Sequence, residues 1–195
     1  LLTGCGGSNG SSSSSGSMSG GMNSSSASGT AAYRTGLGVL TETSDDGNSG
    51  KVELIAAAVT LDENGRLADV QFDELESVVT ADGTGAVTLP TDDRTKRQKG
   101  DDYPLAAVSS LKKGWTEQAD AFAKHLTGRT PEEVEAIKTD ADGKATDADL
   151  LSGCTIAVDR YRDAVVEACT NAKAMGAAKG DRVSVYVEAM RDASS

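Results

Sequence analysis

The chain has no surplus of basic residues: 19 Lys and Arg stand against 30 Asp and Glu, a formal net charge of −11 over 195 residues. Neutralising phosphates is the sequence-independent part of nucleic-acid binding, so this balance excludes nucleic acid as an expected partner. No apolar run approaches the ~20 residues that cross a bilayer, so no membrane-spanning helix is expected. There is one histidine, His125, and there are three cysteines, Cys5, Cys154 and Cys169. A zinc site built from several His and Cys is not expected on that inventory, nor any other metal centre. A Ser-His-Asp triad would need His125 as its base, and the chain holds no nucleophile elbow. If the segment between Cys154 and Cys169 is mostly helical, ~1.5 Å per residue sets them roughly 20 Å apart, too far for a disulfide. A domain of ~160 residues can build a core without one.

What is present begins with an address. Residues 1–5 read LLTGC, and Leu2-Thr3-Gly4-Cys5 resembles a bacterial lipobox, the end of a secretory signal that is cut before its cysteine. The resemblance implies that residues 1–4 are the remnant of a lipoprotein signal peptide. Cys5 would then be lipidated, and two or three acyl chains suffice for stable anchoring. The other reading of Cys5 is an ordinary thiol in a tail. From residue 6 to residue 32 the chain is mostly Ser and Gly, and no charged side chain precedes Arg34. Such a stretch cannot bury apolar surface to offset its ordering entropy, so residues 5–32 read as a lipidated cysteine plus flexible linker. About 27 residues of it have an end-to-end distance of roughly 30 Å. A neutral tether behind a lipid anchor holds a domain, residues 33–195, off a membrane outside the cytoplasm.

The domain's first half has strand patterns. YRTGLGVLTE and KVELIAAAVTLD are candidate strands, and Asp62-Glu63-Asn64-Gly65 signals a turn before RLADVQFDE. Leu67 and Val70 do not alternate cleanly, which leaves that strand's register open. VVTADGTGAVTL reads as a hairpin about Asp82-Gly83, and the polar residues 90–104 as a loop. The second half reads mainly as helix. Trp115, Ala119, Phe122 and Leu126 form one stripe, and Gly128 suits the position past the helix end. Thr130-Pro131-Glu132-Glu133 is a capped helix start, with Val134 and Ile137 on its inner face. Val158, Tyr161, Val165, Ala168, Ala172 and Met175 mark the longest helix, ended by Gly176. DRVSVYVEAM then alternates as a final strand. The expected class is α+β, an antiparallel sheet packed with helices.

Four features carry candidate chemistry. His125 falls near a helix end, where a cation suits the dipole. The acidic run DADGKATDAD, residues 140–149, has spacings similar to a calcium loop, but lacks the third early ligand and the closing glutamate. It reads as a solvated acidic loop, with a calcium-stabilised surface domain as the last-ranked option. Lys96, Arg97 and Lys99 form a basic cluster that could receive a phosphate or simply be a charged surface loop. Residues 152–155, Ser-Gly-Cys-Thr, precede a helix. Ser152 or Thr155 could cap that helix. Alternatively, the free N–H groups and dipole of its first turn could hold a phosphate beside a hydroxyl.

Asp149-Leu150-Leu151-Ser152-Gly153-Cys154-Thr155 resembles the flavinylation motif of FMN-binding domains, Asp-Gly-x-Ser/Thr-Gly-Ala-Thr. Such domains occur in the C and G subunits of sodium-pumping and ferredoxin-linked redox complexes and in lipoproteins of extracellular electron transfer. Here Leu150 replaces glycine, Cys154 replaces alanine, and Ala157 stands where a hydroxyl residue is usual. Further stretches are similar to bacterial relatives of those domains: residues 33–38, 95–103, 115–122, 128–134, 155–158 and 168–177. The resemblance implies an FMN-binding-domain-like fold and a threonine, Thr155, esterified to the FMN phosphate by a separate flavin transferase. Asp149, Ser152, Gly153 and Cys154 would surround that phosphate, and Lys96 and Tyr103 would line the flavin. The flavin would supply the reactivity and the protein its position. The reading is thus a membrane-anchored electron carrier rather than a catalyst, with redox proteins and the transferase as partners. The alternative is a non-catalytic envelope lipoprotein of the same fold that has lost the flavin and binds another ligand or protein.

Overall fold

The computed structural model describes residues 32–190; the expected signal remnant, Cys5 and nearly all of the linker lie outside them. Among the described residues, the strands β1 (Arg34–Asp45), β2 (Ser49–Leu61), β3 (Leu67–Ala81) and β4 (Val87–Thr88) form an antiparallel sheet in the order β1-β2-β3-β4. The helices are α1 (Lys96–Lys99), α2 (Leu105–Val108), α3 (Trp115–Leu126), α4 (Pro131–Glu135), α5 (Ala148–Leu151) and α6 (Asp159–Thr170). Strands first and helices after make an α+β domain, as the patterning predicts.

One turn device recurs three times. Asp62 Oδ1 accepts the N–H groups of Asn64 and Arg66, both at 2.8 Å. Asp82 Oδ1 does the same for Thr84 and Ala86, and Asp140 Oδ1 for Asp142 and Lys144. Each Asp donates its own N–H to the carbonyl four residues on. Each turn carries glycine at its fourth position, with φ of 77°, 83° and 75° at Gly65, Gly85 and Gly143. A short acceptor side chain and a residue free to take positive φ are what such a reversal requires. The third copy lies within the acidic run 140–149. Its leading carboxylate oxygen is spent on backbone N–H groups, and Thr139 and Ala145 bridge across it. Its first five residues are a closed turn, and its last three cap and begin α5.

The irregular start of β3 has a simple cause. Leu61 pairs with Leu67 while Thr60 pairs with Asp69, so Ala68 is an extra residue. This bulge lets Leu67 and Val70 both be buried although they are three apart. Residues 90–104 hold more than the expected loop. Thr95 and Gln98 cap α1 reciprocally, and the Thr95 hydroxyl, fully buried, donates to Asp73 Oδ2 at 2.6 Å. A 3-10 turn, Gly100–Asp102, follows. Helix α4 has its expected Thr130 cap.

The longest helix stops earlier than its apolar stripe suggests. After Thr170, Lys173 and Thr35 exchange both backbone hydrogen bonds at 2.9 Å, which draws the chain onto the edge of β1 and leaves Met175 exposed. Residues 183–187, expected as a final strand, are extended but enter no ladder. They are held by side chains: Val183 N–H donates to Asp69 Oδ2 (2.8 Å), Val185 N–H to Gln71 Oε1 (2.7 Å), and the Gln98 amide to the Val187 carbonyl (3.0 Å).

The core fills one face of the sheet, with α6 over β1 and β2 and α3 over β3. Helix α6 approaches β1 closely because Gly36 and Gly38 have no side chains; a Cβ on either would overlap the carbonyl oxygen of Ala168 or Ala164. Phe72 sits at the centre, stacked on Tyr161 at 4.8 Å between centroids and edge-on to Trp115 (6.1 Å) and Phe122 (5.9 Å). Four of the chain's seven aromatic residues thus meet at one point, and each pair contributes about 1 kcal/mol beyond area burial.

Candidate functional site

Residues 152–158 link α5 to α6. Asp147 caps α5 by accepting the Leu150 N–H, and the Ser152 hydroxyl turns back to the Asp149 carbonyl at 2.7 Å. Gly153 passes close to α3, where a Cβ would lie 3.3 Å from that of Ala121. Cys154 is buried, and desolvation pushes its thiol up to about 11, partly offset by the Ile156 N–H. Burial also pushes Cys169 up to about 11. Both thiols are free, as their expected separation implies.

Thr155 faces α3. Its N–H (2.8 Å) and its hydroxyl (3.0 Å) both donate to Oε1 of Gln118. Gln118 is fully buried, and its own amide donates to Ser109 Oγ and the Lys113 carbonyl, each at 3.0 Å. One glutamine therefore ties the α6 approach loop to the segment before α3. Neither Ser152 nor Thr155 caps α6. That role falls to the Gly143 carbonyl, which accepts the N–H of Val158 (2.7 Å) and of Asp159 (3.3 Å), while Asp159 Oδ1 takes the Arg160 N–H. Gly143 can come so close because a Cβ there would meet the Asp159 carboxylate. The N–H groups of Val158, Asp159 and Arg160 are thus already paired, and a protein carbonyl and a carboxylate stand where the anion was expected. As arranged, Ser152 and Thr155 offer an FMN phosphate no free hydroxyl proton, and the N–H groups of Thr155, Val158, Asp159 and Arg160 are spent, so these residues do not fit the group without moving.

Lys96 and Tyr103 do come together, with the ammonium 5.3 Å from the ring centroid. Lys96 is turned not to Thr155 but to a buried carboxylate, Glu74. Lys96 Nζ lies 2.8 Å from Glu74 Oε2, the Tyr161 hydroxyl donates to the same oxygen, and the Trp115 indole donates to the Tyr161 hydroxyl at 3.2 Å. Burial disfavours the Lys96 charge, but the Glu74 carboxylate outweighs it and raises the ammonium's pKa. Burial, and then the Glu74 charge, raises the Tyr161 phenol well above its usual range. Trp115 reaches this centre, while Gln118, one turn on along α3, reaches the Thr155 loop.

The sheet register extends the centre. Glu42, Glu53 and Glu76 stand side by side across β1, β2 and β3, and Glu74 is two residues from Glu76 on the same face. Like charges placed opposite each other repel. Each of three cations bridges two of these glutamates: Lys51 joins Glu53 and Glu76 (2.8 and 3.5 Å), Arg160 joins Glu53 and Glu42 (3.0 and 3.2 Å), and Lys96 joins Glu74 and Glu76 (2.8 and 3.8 Å). Burial works against ionised Glu53, yet the Lys51 hydrogen bond, with Arg160 behind it, holds its pKa below the usual range. Oxygens of Glu53, Glu74 and Glu76 lie within 4.8 Å of one another, close enough to share a metal ion. Each of them already pairs with an ammonium or guanidinium group, so the arrangement here is an ion-pair lattice.

The remaining basic residue of that cluster with defined contacts is also spent internally. Arg97 donates to the Phe72 carbonyl (3.3 and 3.2 Å) and to Asp120 (2.9 Å), and lies over the Trp115 ring. His125 is not the expected cation. Desolvation, reinforced by the neighbouring Arg129, lowers its pKa. Arg129 instead serves the end of α3, donating to the His125 carbonyl at 2.9 Å.

Sequence reading missed Glu53, Glu74, Glu76, Tyr161 and Gln118. A signal existed for the glutamates, since FDELES places Glu74 and Glu76 on the same face as Phe72. Gln118 carried none, and Tyr161 showed only as part of a helix's apolar stripe: their partners are 37 and 87 residues away. Compared with protein-family models, curated proteins and solved structures, the chain matches none.

Proposed function

We propose that this chain is a lipid-anchored extracytoplasmic protein whose domain works by binding a ligand or protein partner rather than by catalysis. The observation that carries the reading is the double hydrogen bond from Thr155 to Gln118, which commits the hydroxyl and the N–H of the one residue suited to flavin attachment. Two further features support it. Both thiols are pushed up to about 11, so neither is a thiolate at neutral pH. The charged centre on Glu74 has every carboxylate bridged by a cation, an arrangement that stiffens a scaffold. The anchor rests on the lipobox and the uncharged Ser/Gly tether.

The flavin-carrying reading has one feature in its favour: Ser152 is exposed and Thr155 half-buried, so the loop is within reach of a transferase. It requires Thr155 to leave Gln118. Co-expression of the full chain with a bacterial flavin transferase, followed by mass spectrometry of the Thr155 peptide, separates the two. The binding reading expects no FMN-sized adduct and no uptake of free FMN. An adduct that Thr155→Val abolishes would establish flavin carriage instead. In the same cells, Cys5→Ala is expected to move the protein from the membrane to the soluble fraction, and an unchanged distribution would remove the anchor.

A further inference from the structure

The segment of residues 182–188 alternates as a strand does although it joins no ladder, with one side held by side chains and the other open. Exposure alternates along it: Val183, Val185 and Val187 are half-buried, while Arg182, Ser184, Tyr186 and Glu188 face solvent. The used edge belongs to the odd-numbered residues, whose backbone groups meet Asp69, Gln71 and Gln98. The backbone groups of Ser184, Tyr186 and Glu188 point the other way and have no hydrogen-bond partner among the described residues. A valine-rich extended segment with a bare edge is a template for adding another strand. Tyr186, 75% exposed, stands in the middle of that edge.

The side chains select the partner. We propose that the open edge pairs antiparallel with the same segment of a second copy of this chain, about a twofold axis through Val185. In that register Ser184 lies opposite Tyr186 and Arg182 opposite Glu188, each pair reciprocated by the symmetry. All four are even-numbered, so the pairs that must exchange N–H···O bonds are the ones whose backbone groups are free. The register places a guanidinium across from a carboxylate at both ends, and opposite charges in cross-strand pairs favour association. Arg182 is available for it: the side chain is 85% exposed, and its contact with Asp69 uses Nε. The two Tyr186 rings become diagonal neighbours at the centre. Such a contact is isologous and closes at two chains rather than propagating.

Light scattering and sedimentation of the full chain across a concentration series test this. The expected result is a monomer–dimer equilibrium with Kd in a measurable range. Ser184→Pro removes an outward N–H without touching those bound to Asp69 and Gln71, so it should weaken the dimer at least tenfold while circular dichroism stays unchanged. Glu188→Arg should weaken it as well by setting Arg against Arg, and Arg182→Glu combined with Glu188→Arg should restore it. A monomer at every concentration overturns the proposal. So does a dimer indifferent to Ser184→Pro, or a double swap that fails to rescue.

Discussion

Glu74 is 3% exposed and holds two partners on one carboxylate oxygen, Lys96 and Tyr161, and Trp115 in turn donates to the Tyr161 hydroxyl. Removing one member of a buried ion pair strands the other's charge, which costs more than the pair contributes. Lys96→Met or Glu74→Leu alone should each destabilise the domain by about 3 kcal/mol or more, as measured by urea unfolding. The double variant should be less destabilised than the sum of the two by at least ~1 kcal/mol, because neither charge is then left unpaired. Additive losses would show that the contact is incidental. At this scale the sequence was partly legible. Lys96 and Tyr103 were singled out only as residues lining an expected flavin site, and they lie together away from Thr155. The group that Lys96 pairs with was not legible, because Glu74 reaches it only after β3 and α1 pack. Thr155 shows the same limit. Its place ahead of a helix is local, but the direction of its hydroxyl depends on Gln118, 37 residues away.

Secondary-structure elements were the most legible level, since their signals are short-range. Asp-x-x-Gly turns, the Thr130-Pro131 start of α4 and the stripe of α3 all form where the spacing of acceptors, glycine and apolar residues demands. The failures share a cause. Helix α6 ends before its stripe does because Lys173 finds Thr35 on β1. Residues 183–187 alternate like a strand but meet the side chains of β3 rather than its backbone. Each outcome was decided by a partner distant in sequence. The packing of α6 on β1 makes the sharpest prediction at this scale. Gly36→Ala forces a methyl into the Ala168 carbonyl, a backbone atom that cannot rotate away, and should cost about 3 kcal/mol by overpacking. Gly50→Ala, with no atom within 4 Å of its Cβ, should cost nothing and should gain up to ~1 kcal/mol from lower chain entropy. Thermal melts of the two variants check this; equal melting temperatures would deny the close approach.

For the whole molecule, titration follows from which charged forms the fold prefers. Asp46, Asp82, Asp92, Glu53, Glu132, Glu133 and Asp147 all have pKa values below the ordinary range, Asp92 at about 2 through its Arg94 partner. A depressed carboxylate contributes stability that is present above its unfolded value and lost as pH falls through the folded one. His125 is also depressed, from 6.5, so its neutral form is favoured on folding and stability falls as pH drops below that value. Melting temperature should therefore decline in two stages, first below about pH 6.5 and again below about pH 4.5. His125→Asn should remove the first stage and keep the second; a profile unchanged by that substitution would place the upper transition elsewhere. By itself the sequence determined the α+β class, the Asp-x-x-Gly turn after β2 and that Cys154 and Cys169 do not pair with each other, because each follows from local spacing and composition. Tertiary structure alone decided where the charges were neutralised, which helix end received its cap from Gly143, and that Thr155 turned inward to Gln118. Those outcomes depend on groups brought together by register and packing, distances that no stretch of neighbouring residues encodes.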